Sequence, residues 1–278
     1  MNFKGISIGI FILSFLFICV CLKGGDDALI GYWPLDSGKG KVAFDKSRNH
    51  DNGKLFGPKW LSFGKNSVLN FDPGQYVSIP HKECLNVKKA FTIALWVNLN
   101  NIHGEMAFFS KGRRGDFSGY DFYQINGKLA LSMATTEKPG VGIAKAGYRL
   151  FSKPVLKAKE WAFIAVSYDS VTRKAIFYHN DKKIGEASAA GEVIYAPKGF
   201  FENWDYEALP VALGSMAICP GHYMLLDGVL RDVKIFNRAL DANEIQKERT
   251  GSIAVRNIVF ERESERLEKT FTSLLKVS

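Results

Sequence analysis

Residues that usually announce chemistry are scarce in this chain. Among 278 residues there are five histidines and four cysteines. None of His50, His81, His103, His179 and His222 stands at metal-ligand spacing to another, and neither a CxxC pair nor a Cys/His cluster occurs, which disfavours structural zinc. "GSMAICPGH" brings Cys219 near His222 without an orienting partner, so a loop thiol is expected there and not an activated nucleophile. Helical period is almost missing before residue 240, and internal repeats and low-complexity linkers are absent from the sequence. These gaps exclude helical bundles and solenoids and leave a strand-built body.

A second long apolar run is missing too. The single one, Ile6 to Leu22, follows Lys4 and precedes Lys23-Gly24-Gly25, the plan of a secretory signal segment. At about 17 residues it nears the length that crosses a bilayer, so a retained anchor stays open. So does lipidation at Cys19 in "LFICVC", although Ile18 occupies the place that such a motif gives to a small residue. The organisation expected is a signal or anchor over 1–25, one domain over 26–250 and a C-terminal tail over 251–278. With 46% apolar and 13% aromatic residues, one large core accounts for the central part. Cys19 and Cys21 lie in the leading segment, which leaves Cys84 and Cys219 for an oxidising compartment, as one bridge or as two free thiols.

The formal net charge of +9 is spread along the chain, and Lys4 and Lys23 belong to the leading segment. Export argues against nucleic acid as a partner. An acidic polysaccharide or another anionic surface suits scattered lysines and arginines, and solubility alone would also account for them.

What is present is alternation. "FTIALWVNL" puts Phe91, Ile93, Leu95, Val97 and Leu99 on one face of a strand. "WAFIAVSYD" is apolar on both faces, as a central strand covered on each side would be. Asn126-Gly127, between "YDFYQI" and "KLALSM", is a strong hairpin signal because a type I′ turn needs two residues that accept positive φ; Asn180-Asp181 does the same less well. Near the end, "LDGVLRDVKIFNRALDANEI" changes from strand to helical period. It predicts a strand with Val229, Val233 and Ile235 on one face, then a short helix opened by Asp241 and Glu244 in capping-box spacing and carrying Ile245. Leu267, Phe271, Leu274 and Leu275 mark one face of an amphipathic helix in the tail. The fold class expected is all-β, a two-sheet antiparallel jelly-roll sandwich with a short C-terminal helix.

The order of "IGYWPLD" (30–36), "VAFDKSRNHDNGKL" (42–55), "VLNFDPGQYVSIP" (68–80), "FTIALWV" (91–97), "FSKG" (109–112), "WAFIAVSYD" (161–169), "FYHNDKKIGEA" (177–187) and "LDGVLRDVKIFNRALDANEI" (226–245) resembles the laminin-G-like, concanavalin A-like jelly-roll domains of secreted proteins. Arg48 stands where such domains usually carry glycine, and "GVLRDV" (228–233) keeps one of two usual acidic positions. The resemblance implies a module that binds or adheres, to glycans or to proteins, and in some relatives a structural calcium. Asp36, Asp45 and Asp232 are the calcium candidates, because hard cations take carboxylates gathered from loops distant in sequence. Arg231 beside Asp232 works against an ion, and turn-capping is the alternative role for each aspartate. Glucanases of this fold carry their carboxylates at alternate positions of one strand, in E-x-D-x-x-E or E-x-D-x-E order. That order is missing here, so a catalyst is not expected.

"GFFENWDYEALP" (199–210) is the most unusual loop. Trp204 and Tyr206, with Asn203 and Asp205 beside them, offer what a glycan site needs: aromatic faces for sugar C–H groups, and an amide and a carboxylate for hydroxyls. Packing over the sandwich is the competing role. Arg114-Gly115-Asp116 also looks like a cell-adhesion tripeptide. The partners expected are therefore a polysaccharide or glycoconjugate, or an extracellular or cell-envelope protein, met by a chain exported from the cell.

Overall fold

The computed structural model describes residues 27–63, 66–112, 118–138, 147–195 and 208–251. In chain order the strands are β1 (Leu29–Trp33), β2 (Val42–Ala43), β3 (Gly53–Phe56), β4 (Lys59–Phe63), β5 (Asn66–Phe71), β6 (Tyr76–Ile79), β7 (Ala90–Leu99) and β8 (Glu105–Ser110). They continue with β9 (Tyr120–Ile125), β10 (Lys128–Met133), β11 (Tyr148–Pro154), β12 (Trp161–Asp169), β13 (Lys174–His179), β14 (Lys182–Ser188), β15 (Val211–Leu213) and β16 (Gly228–Phe236), and the helix α1 (Ala242–Gly251) follows. One sheet runs β14-β13-β12-β7-β16-β5-β4 with β1 beside β16, and the other runs β11-β10-β9-β8-β15-β6-β3-β2; every pairing is antiparallel.

The two sheets stack because their strands alternate. Phe91, Ile93, Leu95, Val97 and Leu99 of β7 enter the core between the sheets, where Phe122, Leu129 and Leu131 of the second sheet meet them. β12 is covered on both sides: Ala162, Ile164, Val166 and Tyr168 face that core, while Phe163 and Ala165 face outward. The outward residues join Ala94 and Trp96 of β7 in a separate cluster, closed over by Leu240 and by Ile245 of α1. α1 starts where the spacing placed it. The Glu244 amide donates to Asp241 Oδ1 at 2.9 Å, and the Asp241 amide to Glu244 Oε2 at 2.9 Å, a reciprocal capping box.

Both expected hairpins have the backbone that they require. Asn126 and Gly127 lie at φ 49° and 81°, and Asn180 and Asp181 at 48° and 67°. Two successive positive φ values define the type I′ turn, and asparagine and aspartate tolerate them. The late strand corrects one expectation. The register of β16 against β7 slips between Arg231 and Lys234, and Asp232 sits at φ 49°. This bulge inverts the alternation, so Leu230 takes the core position expected for Val229, whereas Val233 and Ile235 remain in the core. β1 lies against β16, from Leu29 opposite Phe236 to Trp33 opposite Val233.

Candidate functional site

The register of the second sheet sets one transverse row across all eight of its strands. Val42 faces Lys54, which faces Ser78; Ala212 follows, then Ser110, Asp121, Ser132 and Arg149. Each of these side chains points away from the central core, because its neighbours in sequence (Ala43, Leu55, Val77, Val211, Phe109, Phe122, Leu131, Leu150) pack into it. Six of the eight side chains on this line of the outer face are polar, with cations toward both ends and a carboxylate near the middle.

The β8–β11 half of the row is covered. Ser110 Oγ donates to Asp121 Oδ1 and accepts the Ala217 amide at 2.8 Å, while Ser132 Oγ donates to Tyr123 Oη at 3.1 Å. Met216, Ile218 and Met224 from the segment after β15 lie on Ala107, Tyr123 and Ala130. Arg149 of β11 reaches Glu105 of β8 at 3.0 Å, passing over the two strands between them. Asp121 is fully buried, as expected of a carboxylate that holds a cover in place. The β2–β3–β6 half stays open.

At one end of the same sheet lies a buried cation. Lys111, just beyond β8, has no exposed surface; its Nζ donates to the Leu209 carbonyl, lies 3.3 Å from His81 Nδ1 and stands 5.9 Å from the centre of the Tyr195 ring. Backbone bonds tie this neighbourhood together: Gly119 N to Ile194 O at 2.8 Å, Ile194 N to Ala134 O at 3.0 Å, and Thr136 N to Glu192 O at 2.8 Å. Tyr195 Oη donates to the Val87 carbonyl at 2.9 Å. Residues 111–112, 118–119, 134–138, 192–195 and 208–209 therefore meet at one rim. They are the stems of segments 113–117, 139–146 and 196–207, which lie outside the described residues. With those segments go the glycan candidates Trp204, Tyr206, Asn203 and Asp205, the tripeptide Arg114-Gly115-Asp116, and Glu202 and Glu207. The amphipathic face of 267–275 and the leading apolar run also lie outside.

The three calcium candidates have separate duties. Asp45 is 3% exposed, and its two oxygens take four donors: Oδ1 from the Tyr32 and Ser47 amides and Oδ2 from Ser47 Oγ and the Asp51 amide, each at 2.8 Å. Four donors fill the lone pairs of one carboxylate, so Asp45 organises a turn and has none left for an ion. Asp232 accepts the Tyr32 hydroxyl at 2.8 Å and faces Arg231 Nε at 3.6 Å, with both charged side chains buried. Burial, then Asp232 beside it, raises the Tyr32 phenol far above its ordinary value. Asp36 contributes to the same field. Among the described residues no three His, Cys, Asp or Glu side chains gather round one point.

Of the two alternatives for the cysteines, a bridge or free thiols, the structure has two free thiols in different neighbourhoods. Cys84, in a short 3-10 turn (Glu83–Leu85), lies 3.8 Å from Asp51 Oδ2, whereas Cys219 packs beside Met216 and Ile218 on the outer face of the second sheet. Burial, then the charge of Asp51, pushes the Cys84 thiol above the usual value of about 9. Although Cys84 is exposed, its iodoacetamide alkylation is expected to stay below half its limiting rate at pH 9, checked by mass spectrometry of the labelled peptide. Asp51→Asn is expected to lower that midpoint.

Neither Lys111 nor the row through Asp121 was visible in the sequence, since "YDFYQI" and "KG" read as an ordinary strand and turn. The one available signal was a lone aspartate in a strand otherwise rich in aromatic residues.

A family model described as the concanavalin A-like lectin/glucanases superfamily matches residues 71–246. Among solved structures, the chain is similar to the binding domain of Paraclostridial Mosquitocidal Protein 1 (TM-score 0.58, 16% identity, covering 79% of this chain and 51% of that one). It is also similar to the botulinum neurotoxin serotype G binding domain (0.55, 13%, 79% and 50%) and to the binding domain of botulinum neurotoxin DC in complex with rat synaptotagmin II (0.53, 12%, 81% and 52%). It spans about half the length of each. We find no similar sequence among curated proteins.

Proposed function

Because this chain belongs to the concanavalin A-like lectin/glucanases superfamily, we propose that it is a non-catalytic binding module of an exported protein, and that its ligand is a carbohydrate held by the rim around Lys111. The observation that carries this reading is the convergence of three loop stems on one rim of a rigid sandwich. Loops raised on such a scaffold are where binding residues concentrate. The segment 196–207, whose flanking residues 195 and 208 lie there, contains Trp204, Tyr206, Asn203 and Asp205. Asp121, the one carboxylate of the transverse row, is buried and bonded to Ser110, a structural duty that favours the non-catalytic reading.

Trp204→Ala is expected to weaken binding to the best neutral or charged oligosaccharide found on a glycan array by about thirtyfold, the loss of one aromatic anchor. Calorimetry checks the number, and an unchanged melting curve keeps the effect local. Release of reducing sugar from a polysaccharide panel, abolished by Glu202→Ala or Glu207→Ala, would overturn the non-catalytic reading.

A second reading, a protein-interaction module of the cell envelope, is favoured by one observation: a structural neighbour is a binding domain in complex with a protein, rat synaptotagmin II. A glycan array that stays blank while an envelope protein binds through the same rim would select it.

A further inference from the structure

Exposure alternates strictly from β2 into the following turn. Val42, Phe44, Lys46 and Arg48 are exposed, while Ala43, Asp45 and Ser47 are buried. β3 continues the same outer face with Lys54, opposite Val42, and with Phe56, opposite Tyr76 of β6. The Phe56 and Tyr76 rings stack at 4.7 Å with 11° between their planes. Val42, Phe44 and Phe56 are 37%, 46% and 38% exposed, three large apolar side chains on one open face. Cations are interleaved with them: Lys46 Nζ lies 5.6 Å from the centre of the Phe44 ring and Lys54 Nζ 5.1 Å from that of Phe56.

The charge on this face is mainly positive, with one exposed carboxylate, Asp27, at its edge and paired with Arg48. Between Ser37 and Phe56 the two carboxylates, Asp45 and Asp51, are 3% and 5% exposed, whereas Lys39, Lys41, Lys46, Arg48 and Lys54 are all exposed. A sugar site would set exposed carboxylates among its aromatics to take hydroxyl protons. This face instead combines Val and Phe with ammonium and guanidinium groups, the composition that enters a headgroup layer and pairs with its phosphates. The chain path points the same way. Asp27 is held to Arg48 at 3.1 Å, and the apolar run Ile6–Leu22 ends five residues earlier, a stretch that extends at most about 18 Å. Asp27, the first described residue, is thus fixed at the edge of this face.

We infer that the outer face of β2, β3 and β6 docks on an anionic lipid bilayer, with Phe44 and Phe56 at the acyl boundary and Lys46 and Lys54 on headgroup phosphates. The inference goes beyond the rim reading and does not depend on it, because the face is built from other residues.

The test is lysine acylation of the purified full-length chain mixed with vesicles of phosphatidylcholine, with vesicles also containing phosphatidylglycerol, or with heparin. Lys46 and Lys54 are expected to react at least about fivefold more slowly on anionic than on neutral vesicles, the contribution of about one cation at the surface. Lys182, on the opposite edge of the other sheet, should keep its rate, and high salt should remove the difference. Lys46→Gln with Lys54→Gln is expected to weaken partitioning onto anionic vesicles about twenty-five-fold, fivefold for each charge, without moving the melting midpoint. Equal labelling on the two vesicle types, or a double variant that partitions like the parent chain, overturns the proposal. Protection by heparin with no effect of vesicles also overturns it, and would assign the face to a soluble polyanion. Loss of oligosaccharide binding in Trp204→Ala tests the rim alone and leaves these outcomes unaffected.

Discussion

Asp45→Ala is expected to lower the free energy of unfolding by about 4 kcal/mol, measured by urea titration. Hydrogen bonds to a charged acceptor contribute about 1.5–3 kcal/mol each, and four converge on this carboxylate; some of the released donors regain water, which keeps the loss below the full sum. The donors are placed to make the change felt at a distance. The Tyr32 amide belongs to β1, while Ser47 and Asp51 belong to the turn that leads to β3. The same turn is held by Asn52 Oδ1, which accepts the Asp45 amide at 2.8 Å, and by the Trp33 indole, which donates to the Asp51 carbonyl at 3.0 Å. Asp45→Asn should fall between the two, since an amide offers one acceptor oxygen and turns two protons toward donors. A chelator is expected to leave the melting midpoint of the parent chain in place. A midpoint that drops would mean that an ion, and not these four donors, balances the carboxylate.

At the bulge of β16 the expected loss is of similar size and has two separable parts. Asp232→Ala should cost about 3–5 kcal/mol, because it removes the carboxylate that faces the buried Arg231 guanidinium and accepts the Tyr32 hydroxyl. It also places alanine at φ 49°, where a Cβ without a polar side chain is disfavoured by about 1–2 kcal/mol. Asp232→Asn removes the charge but keeps a residue that tolerates the left-handed region, so it should be less damaging by about that amount. Asp232→Gly relieves the backbone and loses every side-chain contact. If denaturation midpoints rank alanine lowest, with asparagine and glycine above it, both terms operate. If all three variants match the parent, the buried pair has no structural weight.

The segments that were legible are those whose cause is local. Period two in "FTIALWVNL" and "WAFIAVSYD" is a property of the extended backbone, so the residues that entered the core could be named from spacing alone. Positive φ at Asn126-Gly127 and Asn180-Asp181 is a property of two residues and their neighbours, and the Asp241–Glu244 box closes within one turn. The antiparallel sandwich and its capped helix follow from these signals together.

The site was decided elsewhere. Lys54, Ser78, Ala212, Ser110, Asp121, Ser132 and Arg149 form a row only because six pairings fix their register, and three of those pairings, β3–β6, β6–β15 and β15–β8, join strands that are not consecutive in the chain. Val229 lost its core position to Leu230 through one extra residue in a strand, a change that leaves the apolar pattern readable in either phase. Aspartates 36, 45 and 232 looked alike as letters. Their roles came from what the fold brought to each: four donors for Asp45, a phenol and a guanidinium for Asp232, and a place in the field of Tyr32 for Asp36. Backbone conformation is set over a few residues and can be read along the chain, whereas hydrogen-bond saturation and burial depend on neighbours that only long-range pairing supplies.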